Sequence, residues 1–406
     1  MTERLYRADP YLLEFEARVR ARTEHEGRPA LVLDRTAFYA ESGGQPWDTG
    51  TLRAGPHVWR VVAVVEAEGG ARHVVEPQAP VPTPLPDEGA TVSGVVDAER
   101  RRDHRQQHHG QHLLSRAFVE TARARTVSFH LGARECTVDL DREVNAAQVA
   151  AAVRRANEVV WEARPVSVRV VSRAEAATLG LAVPDEAGDA VRLVNAEGFD
   201  LQPCGGTHPR STAEVGVVLA LGHERHKSGS RVRFACGLRA VALAEEQQSL
   251  LRAAGALLST GPEGVPEAVA RALEQLAEAG RRVRVLQEQS IDGEALRMLA
   301  EAGAPAGPCV ITRVVDGWDA SLLRLLATRL TDRAGVVALL ATRGETVQLV
   351  FARSEDLALD VGALLQETLR PLGGRGGGRG RVAQGGCPAA AGLEDALARA
   401  AAAARP

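Results

Sequence analysis

Cysteine is scarce in this chain of 406 residues, and its distribution excludes the small disulfide-framed proteins. There are five cysteines, an odd number, and they are widely scattered. Disulfide-framed domains place an even number of cysteines at short, regular spacings. The sequence therefore predicts reduced thiols, which are typical of the cytosol. The five residues are Cys136, Cys204, Cys236, Cys309 and Cys387.

Long apolar segments are also missing. A membrane helix needs about 18 apolar residues in a row, and the chain has no such run. The first residues, Met-Thr-Glu-Arg-Leu-Tyr, lack the apolar stretch of a signal peptide. We therefore expect a cytoplasmic protein.

Aromatic residues make up only 3% of the chain, and lysine occurs once, at Lys227. The hydrophobic cores are therefore expected to be aliphatic, and arginine carries nearly all of the positive charge. The net charge of −3 excludes a basic field over the whole surface, so that any nucleic-acid surface must be local. The length predicts two to four domains.

Histidine is absent from the C-terminal part of the chain, because all eleven histidines lie before residue 230. His108 and His112 are four residues apart, a spacing that puts both side chains on one helix face. Cys204 and His208 have the same spacing in Cys-Gly-Gly-Thr-His. Cysteine sulfur and histidine nitrogen are the ligands that zinc prefers, and four of them complete a tetrahedral set. The two motifs together predict a zinc site.

Simpler explanations stay open for each half of this site. Helical histidines are often surface or core residues, and Cys-Gly-Gly can be a buried thiol beside a turn. The clustering of four histidines within nine positions favours ligands. His104 extends the same helix face and could be a ligand, a partner of a ligand or a bystander. We predict that it is a partner, because ligating histidines need their other ring nitrogen fixed.

Hydrophobic patterning predicts a multidomain α+β protein with four parts. Short strand-like runs broken by turns predict a small β-barrel in residues 1–90. Alternating strands and helices in 91–240 predict an α+β domain that carries the zinc motifs. Residues 241–289 have a helical pattern broken near Pro262 and predict a helical spacer. Residues 290–406 alternate again and predict a small α/β domain.

Two glycine-rich segments are candidates for close backbone approach to a ligand. Gly43 and Gly44 precede Gln45 and predict a tight turn. Residues 373–381 read Gly-Gly-Arg-Gly-Gly-Gly-Arg-Gly-Arg, which predicts a loop able to offer backbone N–H groups and guanidinium charge to phosphate. A plain turn and a flexible loop without chemistry are the alternatives.

Taken with their neighbours, these motifs resemble the editing domain of alanyl-tRNA synthetase and its free-standing relatives, the long-form AlaX proteins, which end in a DHH-associated domain. The paired His-x-x-x-His and Cys-x-x-x-His motifs are the most specific part of the resemblance. It extends in order through nearly the whole chain. Further matching segments are Phe38-Tyr39 with Gly43-Gly44-Gln45, Ser128–Gly132, Arg231–Ala240 and the closing glycine-rich segment.

The resemblance implies a zinc-dependent editing domain in 91–240 that removes serine, or glycine as well, from mischarged tRNA(Ala). One Zn²⁺ per chain would be held by His108, His112, Cys204 and His208, and a zinc-bound water would attack the ester. Gln45 is expected to orient the ester or the water, and Thr207 is a candidate for hydroxyl recognition by position. No class II aminoacylation core precedes the barrel and no Asp-His-His motif occurs, so that we expect correction in trans without charging.

The resemblance also implies tRNA(Ala), and especially its aminoacylated 3′ end, as the partner. A homodimer through the C-terminal domain, 290–406, is expected as well. His109 stands where family members usually carry threonine, and we expect it beside the ligands. The residues expected to contact tRNA are Gly43, Gly44, Arg375, Gly376, Gly377, Gly378, Arg379 and Arg381.

Two other functions use the same ligands. One is a zinc-dependent hydrolase of another ester or of a nucleotide, and the other is a non-catalytic tRNA-binding protein with a structural zinc. Deacylation of mischarged tRNA distinguishes editing from both.

Overall fold

A computed structural model describes residues 2–78, 84–183, 188–303, 307–344, 346–388 and 391–405. The chain separates into two compact units, Met1–Ala253 and Ala254–Pro406. The boundary between them falls inside the segment predicted as a helical spacer, while the four predicted domains and their limits stay a prediction. Among the described helices, none is both long and apolar enough to cross a membrane.

The first unit begins with a closed six-stranded barrel in the order β2-β3-β7-β6-β5-β8, which confirms the predicted barrel. In β2, Phe15, Ala17 and Val19 are buried while the residues between them are exposed, the alternation expected of a strand with one face on a core. A separate parallel pair is formed by β1 and β4. The strands are β1 (Glu3–Arg4), β2 (Glu14–His25), β3 (Arg28–Leu33), β4 (Arg35–Thr36), β5 (Gly50–Ala54), β6 (His57–Ala67), β7 (Gly70–Pro77) and β8 (Thr91–Val96).

An α+β region follows the barrel in the same unit. Helix α1 (Ala98–Ala122) is capped by the Asp97 carboxylate, which accepts from two backbone N–H groups of the first turn. With α2 (Ala146–Trp161), it shares a core with an antiparallel sheet in the order β14-β15-β10-β9. A second antiparallel sheet has the order β11-β12-β13. The remaining elements are β9 (Thr126–Leu131), β10 (Cys136–Leu140), β11 (Val166–Ser172), α3 (Arg173–Thr178), β12 (Ala190–Ala196), β13 (Asp200–Pro203), β14 (Val218–His226) and β15 (Gly229–Cys236).

Two helices occupy the segment predicted as a spacer, and they break near Pro262 as expected. Helix α4 (Gly237–Leu257) ends before this proline, and α5 (Val265–Ala302) begins after it. Helix α5 continues past the predicted limit at 289. Its last turns bury Ile291, Ala295 and Met298 in the core of the second unit, which explains why the helix is longer than the spacer.

The second unit contains a five-stranded mixed sheet in the order β16-β17-β18-β20-β19. Only β16 and β17 are parallel, and α6 connects them. Every residue of β17 is buried, because helices cover both faces of the sheet: α5 and α6 pack on one core, α7 and α8 on the other. The elements are β16 (Cys309–Val314), α6 (Ala320–Thr331), β17 (Val336–Thr342), β18 (Val347–Arg353), α7 (Val361–Leu369), β19 (Arg375–Gly377), β20 (Val382–Cys387) and α8 (Leu393–Ala403).

The glycine-rich segment 373–381 is in part a strand, so that its prediction as a loop was wrong for Arg375–Gly377. Here β19 pairs antiparallel with β20, and Gly376 lies opposite Gly385. A Cβ on Gly376 would stand 2.5 Å from the Cα of Gly385, because the two backbones approach too closely for side chains. The side chains of Arg375, Arg379 and Arg381 are nevertheless exposed.

Candidate metal centre

Helix α1 presents two of the predicted ligands in its buried central turns. His108 and His112 are almost fully buried, and their ring centroids are 5.2 Å apart, as i and i+4 side chains on one face should be. This burial is unusual for a polar stretch and needs hydrogen-bond partners around it.

The other two predicted ligands lie on the loop that follows β13. The guanidinium of Arg192 on β12 donates from Nη1 to the carbonyl oxygens of Cys204 (2.8 Å) and Gly206 (3.0 Å) and so holds the loop. Gly206 packs directly on the ring of His108, where a Cβ would stand 2.2 Å from Cε1. Any side chain at this position would therefore displace either the loop or His108.

The structure brings the four predicted ligands together. One ligand atom from each of His108, His112, Cys204 and His208 lies within 4.8 Å of the other three. The Sγ of Cys204 is 3.4 Å from Nε2 of His108 and 3.1 Å from Nε2 of His208. Ligands bound 2.0–2.3 Å from one zinc ion stand about 3.3–3.7 Å apart, so shifts of about an ångström or less would bring the four atoms to zinc-binding distances, and the His₃Cys donor set suits zinc.

Each imidazole has a partner on the nitrogen that faces away from the set. Nδ1 of His108 lies 2.8 Å from Oε1 of Gln45. Nδ1 of His208 lies 3.2 Å from Nδ1 of His109, which the sequence placed beside the ligands. Such outer contacts fix the ring and leave Nε2 to the metal.

For His112 the outer partners come from strand β13. Its Nδ1 lies 3.4 Å from Oδ2 of Asp200 and shares a 2.6 Å hydrogen bond with the amide of Gln202. Gln202 also donates to Asp200 over 2.7 Å. Sequence reasoning missed these two residues. Their alternate positions on β13 put both side chains on one strand face, two and four residues before Cys204, and this spacing was the available signal.

Electrostatics in this cluster favour a thiolate beside imidazoles. Burial opposes ionisation of Cys204, but His108 and His208 lower the pKa of its thiol well below the usual value. Burial likewise opposes charge on His112, yet Asp200 and Cys204 raise its pKa to about 9. Burial lowers the pKa of His208 to about 3 and that of His109 well below its usual value. A thiolate and neutral imidazoles are the forms that bind metal, so a metal ion at this site would have to displace a proton from His112.

The two residues predicted to be catalytic, Gln45 and Thr207, contact each other beside the predicted ligands. Gln45 is fully buried, and its Oε1 accepts from the backbone N–H of Thr207 (3.0 Å) as well as contacting His108. Its Nε2 donates to the Thr207 hydroxyl over 2.9 Å. Gly43 and Gly44 form the predicted turn, both with positive φ, and a Cβ on Gly44 would stand 2.6 Å from the ring of Phe129.

In the part of the chain that the structure describes, Nδ1 of His104 has no hydrogen-bond partner, and the role of His104 as a partner of a ligand stays a prediction. Its Nδ1 lies 4.0 Å from Oδ1 of Asp48, and burial lowers its pKa to about 3. Asp48 is instead bonded to Arg101, whose Nε donates to it over 3.0 Å. This buried ion pair joins α1 to the barrel segment that leads into β5. The predicted tRNA contacts Arg375–Arg381 belong to the second unit.

Comparison with known proteins gives three matching family models. Residues 11–100 match the model of the class II (A) tRNA synthetases. Residues 191–233, which include Cys204 and His208, match the threonyl and alanyl tRNA synthetase second additional domain. Residues 307–405 match the DHHA1 domain.

Whole-chain relatives agree with these models. The chain is 32% identical to an alanine--tRNA ligase of Methanosarcina acetivorans, over 98% of this chain and 44% of that protein. It therefore spans less than half the length of that ligase. It is 29% identical to the alanyl-tRNA editing protein AlaX-L of Pyrococcus horikoshii, over 95% of this chain and 94% of that protein. Among solved structures, the C-Ala domain of Aquifex aeolicus alanyl-tRNA synthetase matches 24% of the chain at 26% identity and a TM-score of 0.23.

Proposed function

The chain is a relative of alanine--tRNA ligases and of the editing protein AlaX-L over almost its whole length, and from this premise we propose that it hydrolyses the ester bond of mischarged tRNA(Ala). The observation that carries the proposal is the buried His₃Cys cluster, in which every imidazole has an outer partner. The proposed substrates are Ser-tRNA(Ala) and Gly-tRNA(Ala), corrected in trans.

His108, His112, Cys204 and His208 would hold one zinc ion. A bound zinc lowers the pKa of its water to about 7 and polarises a carbonyl, the two effects that ester hydrolysis needs. Four protein ligands complete a tetrahedral set, so catalysis would need a fifth position or the release of one ligand to admit water or substrate. Cys204 is the half-buried member of the set, while the three histidines are buried, so the ester would approach on the Cys204 side.

Gln45 and Thr207 act in this proposal by positioning. The amide of Gln45 contacts the ring of His108 and both the backbone and the hydroxyl of Thr207, and it is fully buried. It therefore ties the barrel turn to one ligand on α1 and to the loop that bears the other two. Loss of this amide would loosen the ligands rather than remove a group that touches the ester.

Discrimination between serine and alanine has a physical basis. The aminoacylation pocket of a synthetase, shaped for alanine, rejects serine only about a hundredfold, since one added hydroxyl fits with little penalty. A second site with a polar partner for that hydroxyl spares the alanine ester, because the partner would be left unpaired. The proposed enzyme would therefore cleave Ser-tRNA(Ala) and spare Ala-tRNA(Ala).

The second unit would bind tRNA in this proposal. Arg375, Arg379 and Arg381 are exposed on and beside the β19–β20 pair, where guanidinium groups can contact phosphate. A homodimer through this unit stays a prediction.

The test is a deacylation assay with Ser-tRNA(Ala) and Ala-tRNA(Ala), using protein loaded with zinc and the same protein after chelation. We expect zinc-loaded protein to release serine at least about 100-fold faster than alanine, and chelated protein to release neither. Equal cleavage of both esters would contradict the specificity. Absence of cleavage at stoichiometric enzyme would favour a non-catalytic tRNA-binding protein, and cleavage unaffected by chelation would contradict the role of zinc.

A further inference from the structure

Tyr11, which precedes the first barrel strand, contacts helix α1 and the chain that follows the Cys-Gly-Gly-Thr-His loop, and these two elements bear the proposed metal ligands. Tyr11 lies just before β2, outside the four-ligand cluster and its outer partners. It is surrounded by Arg105 of α1, and by Arg210 and Glu214, which follow the Cys-Gly-Gly-Thr-His loop. These four residues are called the Tyr11 clasp below.

The hydroxyl group of Tyr11 holds the backbone that follows His208. It accepts from the backbone N–H of Arg210 over 2.9 Å and donates to the carboxylate of Glu214 over 2.7 Å. Glu214 also accepts from the same N–H over 3.1 Å. Arg210 is two residues after His208, so this hydrogen-bonded group fixes the chain immediately beyond a ligand.

The ring of Tyr11 holds helix α1. The Cζ atom of Arg105 lies 3.8 Å from the ring centroid and that of Arg210 lies 4.3 Å from it, so two guanidinium groups contact one ring. Arg105 is 9% exposed, and its Nε and Nη1 are buried without a hydrogen-bond partner in the described residues. A buried cation is costly unless something compensates it, and the ring face provides that compensation.

Arg105 is one helical turn before His108 and His109, the second of which contacts His208. The clasp therefore joins α1 to the end of the ligand loop on the side of His208. Asp9 reinforces it, because its carboxylate accepts from the backbone N–H of Tyr11 (3.0 Å) and from Nη2 of Arg210 (3.2 Å).

We propose that Tyr11 is a positioning residue for the metal centre, which sets the distance between the ligands on α1 and His208 through the Tyr11 clasp. This inference rests on the proposed function, because it assumes that the cluster binds zinc. Loss of an outer partner of a metal ligand weakens metal binding 10- to 100-fold. Tyr11 acts one contact further out, and we expect an effect of about tenfold.

The direct test compares the zinc affinity of four proteins by competition with a chromophoric chelator. Tyr11→Phe removes the hydroxyl but keeps the ring between the guanidinium groups. Arg210→Ala removes one guanidinium from the ring and its hydrogen bond to Asp9, but keeps the backbone N–H bonded to Tyr11, so it weakens the clasp only in part. Val61→Ala is the control for destabilisation, because Val61 is buried in the barrel core away from the clasp. Wild-type protein completes the set.

Tyr11→Phe should bind zinc about tenfold more weakly than wild type, and Arg210→Ala should lose less, about threefold, because the hydroxyl still holds the Arg210 backbone N–H. Val61→Ala should stay within about twofold of wild type. Melting temperatures, measured on the same samples, identify any loss that follows general destabilisation. If Tyr11→Phe binds zinc like wild type, or loses no more affinity than Val61→Ala at a similar melting temperature, the positioning role is overturned while the proposed function stands. If wild-type protein binds no zinc, the proposed function fails as well.

Discussion

Two glycine-bearing segments of this molecule are alike in composition and different in use. In the ligand loop, Gly206 leaves room for the ring of His108, with a virtual Cβ 2.2 Å from it. In the second unit, Gly376 leaves room for the backbone of the neighbouring strand, with a virtual Cβ 2.5 Å from the Cα of Gly385. The first glycine leaves room for the side chain of a proposed metal ligand, and the second leaves room for another backbone.

Each segment also contains a glycine without this constraint. Apart from the two neighbouring residues, no atom of the described residues lies within 4 Å of a Cβ on Gly205. A Cβ on Gly377 would meet only the end of the Gln366 side chain, at 3.3 Å, which can move. Gly205 and Gly206 therefore form one matched pair, and Gly376 and Gly377 form another. Replacing each glycine by alanine adds one methyl group and tests the comparison.

The largest expected effect is at the metal centre. Gly206→Ala should force His108 out of the ligand set and weaken zinc binding by about 100-fold or more, with a parallel loss of deacylation. Gly205→Ala is the control and should bind zinc within a few-fold of wild type. The measurement is zinc competition on folded protein. Equal behaviour of the two variants would mean that the close contact with His108 does not constrain the loop.

The second effect is on stability in the second unit. Gly376→Ala should lower the free energy of unfolding of this unit by about 2–3 kcal/mol, because the added methyl group overlaps backbone atoms that cannot move aside. Gly377→Ala should cost well under about 1 kcal/mol. Chemical denaturation gives both values. Both variants should retain full zinc content, and zinc loss from Gly376→Ala would contradict the separate uses of the two segments.

The smallest effect concerns the arginines around the same strand pair. Replacing Arg375, Arg379 and Arg381 by alanine should weaken tRNA binding and reduce the slope of log affinity against log salt by about 2, since fewer counterions are released. The control carries alanine at Arg281, Arg282 and Arg284 of α5, which is the same change in charge on a different element. These three arginines pair with glutamates, as Arg381 pairs with Glu355. If both triple variants have the same slope, the glycine-rich pair is not a tRNA contact.

The cluster of His108, His112, Cys204 and His208 was predictable because its signal is local. A spacing of i and i+4 brings two side chains together within one helical turn, and the same spacing recurs in Cys-x-x-x-His. Only tertiary structure brings the two halves together. The barrel was predictable for a similar reason, since strands such as β2 alternate buried and exposed residues.

The rest of the site depends on contacts between distant segments. Gln45 contacts His108 from 63 positions away, and Tyr11 contacts the N–H of Arg210 from 199 positions away. No periodicity within one segment encodes such pairs. The prediction of a loop in the glycine-rich segment was wrong in part for another reason. Glycine repeats are typical of flexible loops and also of strands whose backbones approach closely. Which of the two forms depends on the partner strand, here β20.

The most direct test of the account is the zinc content of purified wild-type protein and of the His108→Ala/His112→Ala double variant, measured by elemental analysis. The control is His25→Ala/His57→Ala, which removes two histidines of the barrel strands. The account predicts one zinc per chain in wild type and control, and none in folded double variant, because the ligands on α1 are gone. Stoichiometric zinc in the folded double variant would contradict the assignment of the metal centre.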